Sequence, residues 1–232
     1  MRAISPGPIL TEQVRDAIID AIVEGSLRTG ERLAQEDIAR RLGVSRQPVS
    51  HALNVLKEQG VLVELGRKGL TVAPMEASRL RDLYVVRASL DALAARSAAE
   101  RMAAGRIDVS DITPLEKLLN EHRSTLPGGE DVARWVDADV SFHAALYRLS
   151  GNPWLEEMTR PHWVHFRRCM HSVLEDSGLR GAVWPEHAEI VEAVLAGDPA
   201  RAGTLAEQHA HRAGVETAAR LSALGRNLEE SL

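Results

Sequence analysis

Hydrophobic positions at the start of the chain change period twice. In ILTEQVRDAIIDAIVE, residues 9–24, Val14, Ala17, Ile18, Ala21 and Ile22 recur at helical spacing, which predicts an amphipathic helix. Gly25 and Gly30 bracket a turn. Two shorter helices are predicted over 33–59, LAQEDIARRLGVSRQPVSHALNVLKEQ. Ile38, Ala39 and Leu42 share one face of the first, and Val49, Ala52, Leu53 and Leu56 share one face of the second. Gly43-Val44 supplies the reversal, since glycine accepts the positive φ that a sharp turn needs. Ser45 suits the N-cap of the second helix. Pro48 falls in its first turn, where a missing N–H costs little. After Gly60 the period drops to that of strands. Val61–Leu65 and Leu70–Val72 flank Gly66-Arg67-Lys68-Gly69, the pattern of a β-hairpin with a basic tip. Helix, helix-turn-helix and basic hairpin are the order of a winged helix.

From Glu76 onward the pattern is helical. Apolar stripes predict helices at about 76–104, 111–125, 130–150, 153–176, 183–196 and 199–225. The breaks are Gly105, Pro127-Gly128-Gly129, Gly151-Asn152-Pro153, Gly178/Gly181 and Gly197-Asp198-Pro199, and the final LGRNLEESL reads as frayed. Six such helices make a bundle. The expected fold is therefore mainly α: a winged helix-turn-helix DNA-binding domain over 1–74, then an all-helical domain over 75–232.

Charge sharpens the first half of that picture. The net charge of −5 argues by itself against nucleic acid. Its distribution argues otherwise: residues 40–74 hold 6 Lys and Arg against 2 Asp and Glu, a local basic patch suited to phosphate. Opposite the apolar stripe of the second short helix stand Arg46, Gln47, Ser50, His51 and Asn54. A helix-turn-helix turns such a face to base edges in the major groove. The expected DNA contacts are Arg46, Gln47, Ser50 and His51 on the helix, with Lys68 and Gly69 at the wing. A single cysteine, Cys169, leaves no intrachain disulfide and fits a reducing cytosol. No apolar run reaches the roughly 18 residues of a membrane span, so a cytoplasmic location and no membrane partner are expected.

In the helical half, ligand-type groups fall on apolar stripes. Asp139 and His143, four residues apart, project side by side among Trp135, Phe142, Leu146 and Leu149. His187 shares a face with Val183, Ile190, Val191 and Val194, and His209 follows Leu205 and Ala206. Burying each group separately is costly, whereas one divalent cation would compensate all four. Three imidazoles and a carboxylate suit Zn²⁺, Ni²⁺, Mn²⁺ or Fe²⁺, zinc foremost. Satisfied core histidines are the bland alternative. Arg87 also lies on an apolar stripe, that of Leu80, Leu83, Tyr84, Leu90 and Asp91. It needs an anion: Asp91 itself, another acid of the bundle, or a ligand carboxylate. His162, His165, Arg167, Arg168 and His171 crowd one predicted helix, Arg168 and His171 as a solvated face; His122 and His211 look exposed.

These residues resemble the GntR family of bacterial transcription regulators, in its FadR-like branch with an all-helical FCD effector domain. The likeness spans about residues 9–222. It rests on AIVEGSLRTGERLAQEDIARRLGVSRQPVSHALNVLKEQGVL, on GRKGLTV, and on Asp139, His143, His187 and His209 at positions the family uses for metal. Six bundle helices resemble the VanR-like group. Departures are Ser50 where the family usually has arginine, His51 where an acid follows it, and Thr29 where proline is usual. The resemblance implies a homodimer joined through its helical domains on a pseudo-palindromic operator. It also implies a repressor whose bundle holds a divalent metal and, with Arg87, a small carboxylate effector. Two rivals from the residues are a regulator with a purely structural metal and a metal-dependent hydrolase.

Overall fold

The computed structural model describes residues 8–66, 69–123, 131–174 and 180–229. The chain divides into two compact units, Met1–Met75 and Glu76–Leu232.

In the first unit, α1 (Pro8–Val23) and α2 (Gln35–Leu42) pack on α3 (Arg46–Glu58), and the strands β1 (Leu62–Glu64) and β2 (Leu70–Val72) pair antiparallel with Leu62 opposite Val72. The stripe Val49, Ala52, Leu53 and Leu56 is fully buried, and it meets Val14 and Ile18 of α1 in one core with Leu62. Gly43 caps α2 at φ 67° and its N–H bonds back to the carbonyls of Ala39 and Arg40, the left-handed cap that ends a helix sharply. Ser45 takes the extended N-cap conformation, but its side chain makes no capping bond.

The second unit is all helical among the described residues. It comprises α4 (Ala77–Ala103), α5 (Val109–Arg123), α6 (Val132–Ser150), α7 (Pro153–Thr159), α8 (Trp163–Val173), α9 (Arg180–Leu195) and α10 (Pro199–Glu229). The two longest helices, α4 and α10, lie along each other, and α6 and α9 pack on α4. Their approach depends on Gly214: a Cβ there would come within 2.5 Å of the Tyr84 Cβ.

Five expectations are corrected. The helix read over 153–176 is two helices, because Pro161 can neither donate to the ladder nor avoid the preceding turn; Arg160–His162 forms a single 3-10 turn between them. Gly181, read as a break, lies inside α9, and α10 continues through residues read as frayed. Arg168 and His122 are not solvated: Arg168 is 4% exposed, and His122 stacks on Trp184 with ring centroids 4.3 Å apart. Both lie on apolar helix faces whose neighbours a one-dimensional reading cannot see.

Candidate metal centre and DNA-reading surface

Four helices meet in the second unit, and each carries polar groups into its core. One turn apart on α6 are Asp139 and His143; α9 supplies His187, α10 supplies His209, and α4 supplies Arg87 and Asp91. All six are buried, His187 completely. The potential ligand atoms of Asp139, His143, His187 and His209 all lie within 4.8 Å of one another. His187 Nε2 is 3.2 Å from His209 Nε2 and 3.5 Å from Asp139 Oδ1, while His143 Nε2 stands 3.9 Å from Asp139 Oδ1. Bonds of about 2.0–2.2 Å would draw this set slightly inward.

The electrostatics suit a cation. Burial, and then the Arg87 guanidinium, hold the His143 imidazole below its usual pKa. Burial, and then His209 and His143, push His187 well below it. Both rings are thus kept neutral, the form with a lone pair for a metal. Neither nitrogen of His143 makes a well-aligned hydrogen bond among the described residues, although Nδ1 lies near the Asp91 carboxylate and buried polar atoms ordinarily have one. A divalent ion at this point would satisfy these groups together, so the residues fit one.

Around the four lies a second ring that the sequence reading missed, apart from Asp91 as a possible partner of Arg87. Asp91 Oδ2 is 3.2 Å from His143 Nδ1 and 3.3 Å from Arg87 Nε, and its Oδ1 accepts from the Tyr147 hydroxyl. Burial alone would raise the Asp91 carboxyl, but His143 and Arg87 outweigh it and bring its pKa down to about 2. Glu186 Oε2 is 2.7 Å from His209 Nδ1. The spacing of Asp91, four residues after Arg87, was a usable signal. Glu186 had none, because a glutamate beside a histidine on a helix reads as solvated.

Arg87 does have an internal partner. Besides Asp91, its Nη2 approaches Asp139 Oδ2 at 3.8 Å, and its guanidinium carbon lies 4.8 Å from the Trp163 ring centroid and 5.0 Å from that of Phe166.

On the first unit, Arg46, Gln47, His51 and Asn54 are exposed on the α3 face opposite the core, and Ser50 is half-buried. Arg46 pairs with Glu36 of α2 at 2.9 Å, both side chains 66% exposed. Gly69 holds φ 74° at the base of the hairpin turn with open space where a Cβ would stand. Lys68 lies outside the described residues.

The gntR family of bacterial regulatory proteins matches residues 10–72, and the FCD domain matches residues 82–212. The chain belongs to the GntR family. The HTH-type transcriptional regulator YdhC of Bacillus subtilis (strain 168) is 27% identical over 152 residues, 65% of this chain and 66% of that protein. The Nta operon transcriptional regulator of Aminobacter aminovorans is 35% identical over 57% of this chain and 60% of its own length. The HTH-type transcriptional repressor GlaR of Escherichia coli (strain K12) is 26% identical over 81% of this chain and 86% of its own. A solved GntR regulator from Rhodococcus sp. RHA1 superposes with a TM-score of 0.71 at 27% identity, covering 89% of this chain and 96% of that one. The fold is that of these GntR proteins, a winged head and an all-helical FCD domain. Membership places the chain among DNA-binding transcription regulators and not among enzymes, which removes the hydrolase alternative. Among the described residues, no helix is long and apolar enough to cross a membrane.

Proposed function

We propose that this GntR protein is a ligand-responsive repressor whose helical domain, residues 75–232, binds a divalent metal and a small organic acid, and whose head, residues 1–74, binds operator DNA. The observation that carries the reading is the convergence of Asp139, His143, His187 and His209 in one buried core. These four would hold the ion, which would act as a Lewis acid toward a carboxylate oxygen. Net charge favours an anion there. With both carboxylates ionised, Asp91, Asp139 and Arg87 sum to −1, and a divalent ion reverses the sign. Arg87 is the nearest cation for the rest of the effector, and the aromatic rings of Trp163 and Phe166 beside it suit an apolar carbon skeleton. A repressor is favoured by GlaR, which is named as one. A metal that only braces the bundle is the second reading, favoured by the internal Arg87–Asp91 pair.

Arg46, Gln47, Ser50 and His51 would read bases, with Lys68 and Gly69 against the backbone or minor groove. Such heads act in pairs on symmetric half-sites. A homodimer would form through the helical domain, where α4 exposes Val85, Val86 and Leu93 along one face at 54%, 58% and 41%. A two-fold pair would bury this face against its own copy. The effector would act by preferring one arrangement of the heads. Calorimetry with a panel of small carboxylates, on metal-loaded and metal-free protein, tests the reading. Binding that needs the metal and lowers operator affinity supports it; equal binding without metal sinks it.

A further inference from the structure

A metal-binding imidazole uses one nitrogen for the ion and is aimed by whatever holds the other. The three histidines of the centre differ in this respect. His143 Nδ1 has the Asp91 carboxylate 3.2 Å away without an aligned hydrogen bond, and Asp91 is itself tied to Tyr147 and Arg87. His187 Nδ1 is buried with no hydrogen-bond partner among the described residues; its ring is fixed instead by stacking on Phe142, centroids 3.7 Å apart and planes 9° from parallel. His209 is held from outside the core. Its Nδ1 is 2.7 Å from Glu186 Oε2, and Glu186 Oε1 is 2.5 Å from an Arg212 guanidinium nitrogen one turn further along α10. Burial falls from 3% exposure at the His209 side chain to 19% at Glu186 and 48% at Arg212. The chain of contacts therefore runs from the centre to the surface.

Resting on the metal reading above, we infer that Glu186 is a positioning residue for the metal centre. Its carboxylate accepts the Nδ1–H of His209, fixes that tautomer, and leaves the Nε2 lone pair facing Asp139, His143 and His187; Arg212 holds the carboxylate in place. Glu186 immediately precedes His187, so one turn of α9 delivers one ligand and aims another. This joins α9 to α10 across the site. The carboxylate also strengthens His209 as a ligand, since a hydrogen bond from Nδ1–H to an anion makes Nε2 more basic.

The test compares full-length wild type with Glu186→Ala, Glu186→Gln and Glu186→Asp. Zn²⁺ affinity is measured by competition with a chelating dye, and the His209 tautomer in metal-free protein by long-range ¹H–¹⁵N correlation. Wild type should show the Nδ1–H tautomer. Glu186→Ala should bind Zn²⁺ about 10–100-fold more weakly and show a mixed tautomer. At saturation its Co²⁺ form should keep the wild-type visible spectrum, because all four ligands remain. Glu186→Gln, which retains an acceptor, should recover most of the loss. If Glu186→Ala does not fold, Glu186→Asp, one methylene shorter, decides in its place, with a weakening of at least about threefold expected. Zn²⁺ affinity within about twofold of wild type together with an unchanged tautomer overturns the inference and leaves Glu186 a surface partner of Arg212. If wild type binds no Zn²⁺, the metal reading itself fails. The tautomer alone then judges Glu186, and an Nε2–H in wild type overturns it.

Discussion

His187 and His209 face each other across the core with their Nε2 atoms 3.2 Å apart. With the proton of His209 on Nδ1 toward Glu186, its Nε2 accepts and His187 Nε2–H donates. A metal would take both lone pairs instead, and His187 would then carry its proton on Nδ1, where no partner waits among the described residues. The pair could therefore be held in two ways, by a proton between the rings or by a metal.

The first prediction follows from that choice. Zn²⁺ at about 100 times its dissociation constant should stabilise the protein by about 2.7 kcal/mol, seen as a rise in melting temperature that EDTA reverses. Combined replacement of Asp139, His143, His187 and His209 by alanine should abolish both the rise and the metal content. Full occupancy in that variant would show that the metal lies elsewhere. Protein for this assay must be purified without a nickel column.

DNA recognition gives the second. If Arg46 grips a guanine bidentately, Arg46→Ala costs about 1–3 kcal/mol and relaxes specificity at one base pair. Lys68→Ala should weaken all sequences alike and reduce the salt slope by about one. The exposed Arg46–Glu36 pair is worth only about 0.2–1 kcal/mol, so Glu36→Gln should change operator binding by no more than that. Operator titrations across salt concentrations separate the three variants. Unchanged affinity in Arg46→Ala would remove α3 from the groove.

Arg87 supports a third. Its loss leaves Asp91 and Asp139 buried near one another without their cation, and breaking a buried pair costs about 3–5 kcal/mol. Arg87→Ala should therefore unfold at markedly lower denaturant even without any effector. Arg87→Lys, which keeps the charge but loses the planar fork, should retain most stability yet bind the carboxylate more weakly. Wild-type affinity in Arg87→Lys would confine the arginine to its pair with Asp91.

A fourth concerns the dimer. Val86→Glu places a charge in the middle of the exposed α4 face and should shift the protein to a monomer by sedimentation, with little change in its helical content. Operator affinity should fall with it, because each head would then bind one half-site. A variant that remains dimeric would move the interface off this face.

The elements of the head were legible because each rests on local chemistry. The stripe Val49, Ala52, Leu53 and Leu56 specifies which side of α3 is inward, and so which side is left exposed. Gly43 ends α2 whatever surrounds it, since only its backbone conformation matters. In the bundle, Asp139 and His143 declared themselves by lying on an apolar stripe, and the same held for His187 and His209. Polar residues on a buried face are conspicuous in one dimension because burial alone makes them costly.

What the packing of helices decided is which of these groups meet. The Arg87–Asp91 pair, four residues apart on one helix, was legible, but nothing in the sequence brings His209 Nδ1 to Glu186 or the Arg87 guanidinium to Asp139. Those contacts depend on α4, α6, α9 and α10 converging, and on Gly214 letting α10 lie close against Tyr84. Nor could helical periodicity tell that His122 stacks on Trp184, because an amphipathic stripe gives the direction of a side chain and not its neighbour. Pro161 broke a helix that periodicity carried through, since a missing N–H leaves the hydrophobic pattern untouched. The sequence by itself determined the two folds and the four inward ligand-type groups, because burial and backbone conformation act locally. The tertiary structure decided their partners, because hydrogen bonds between helices are set by distance across the core.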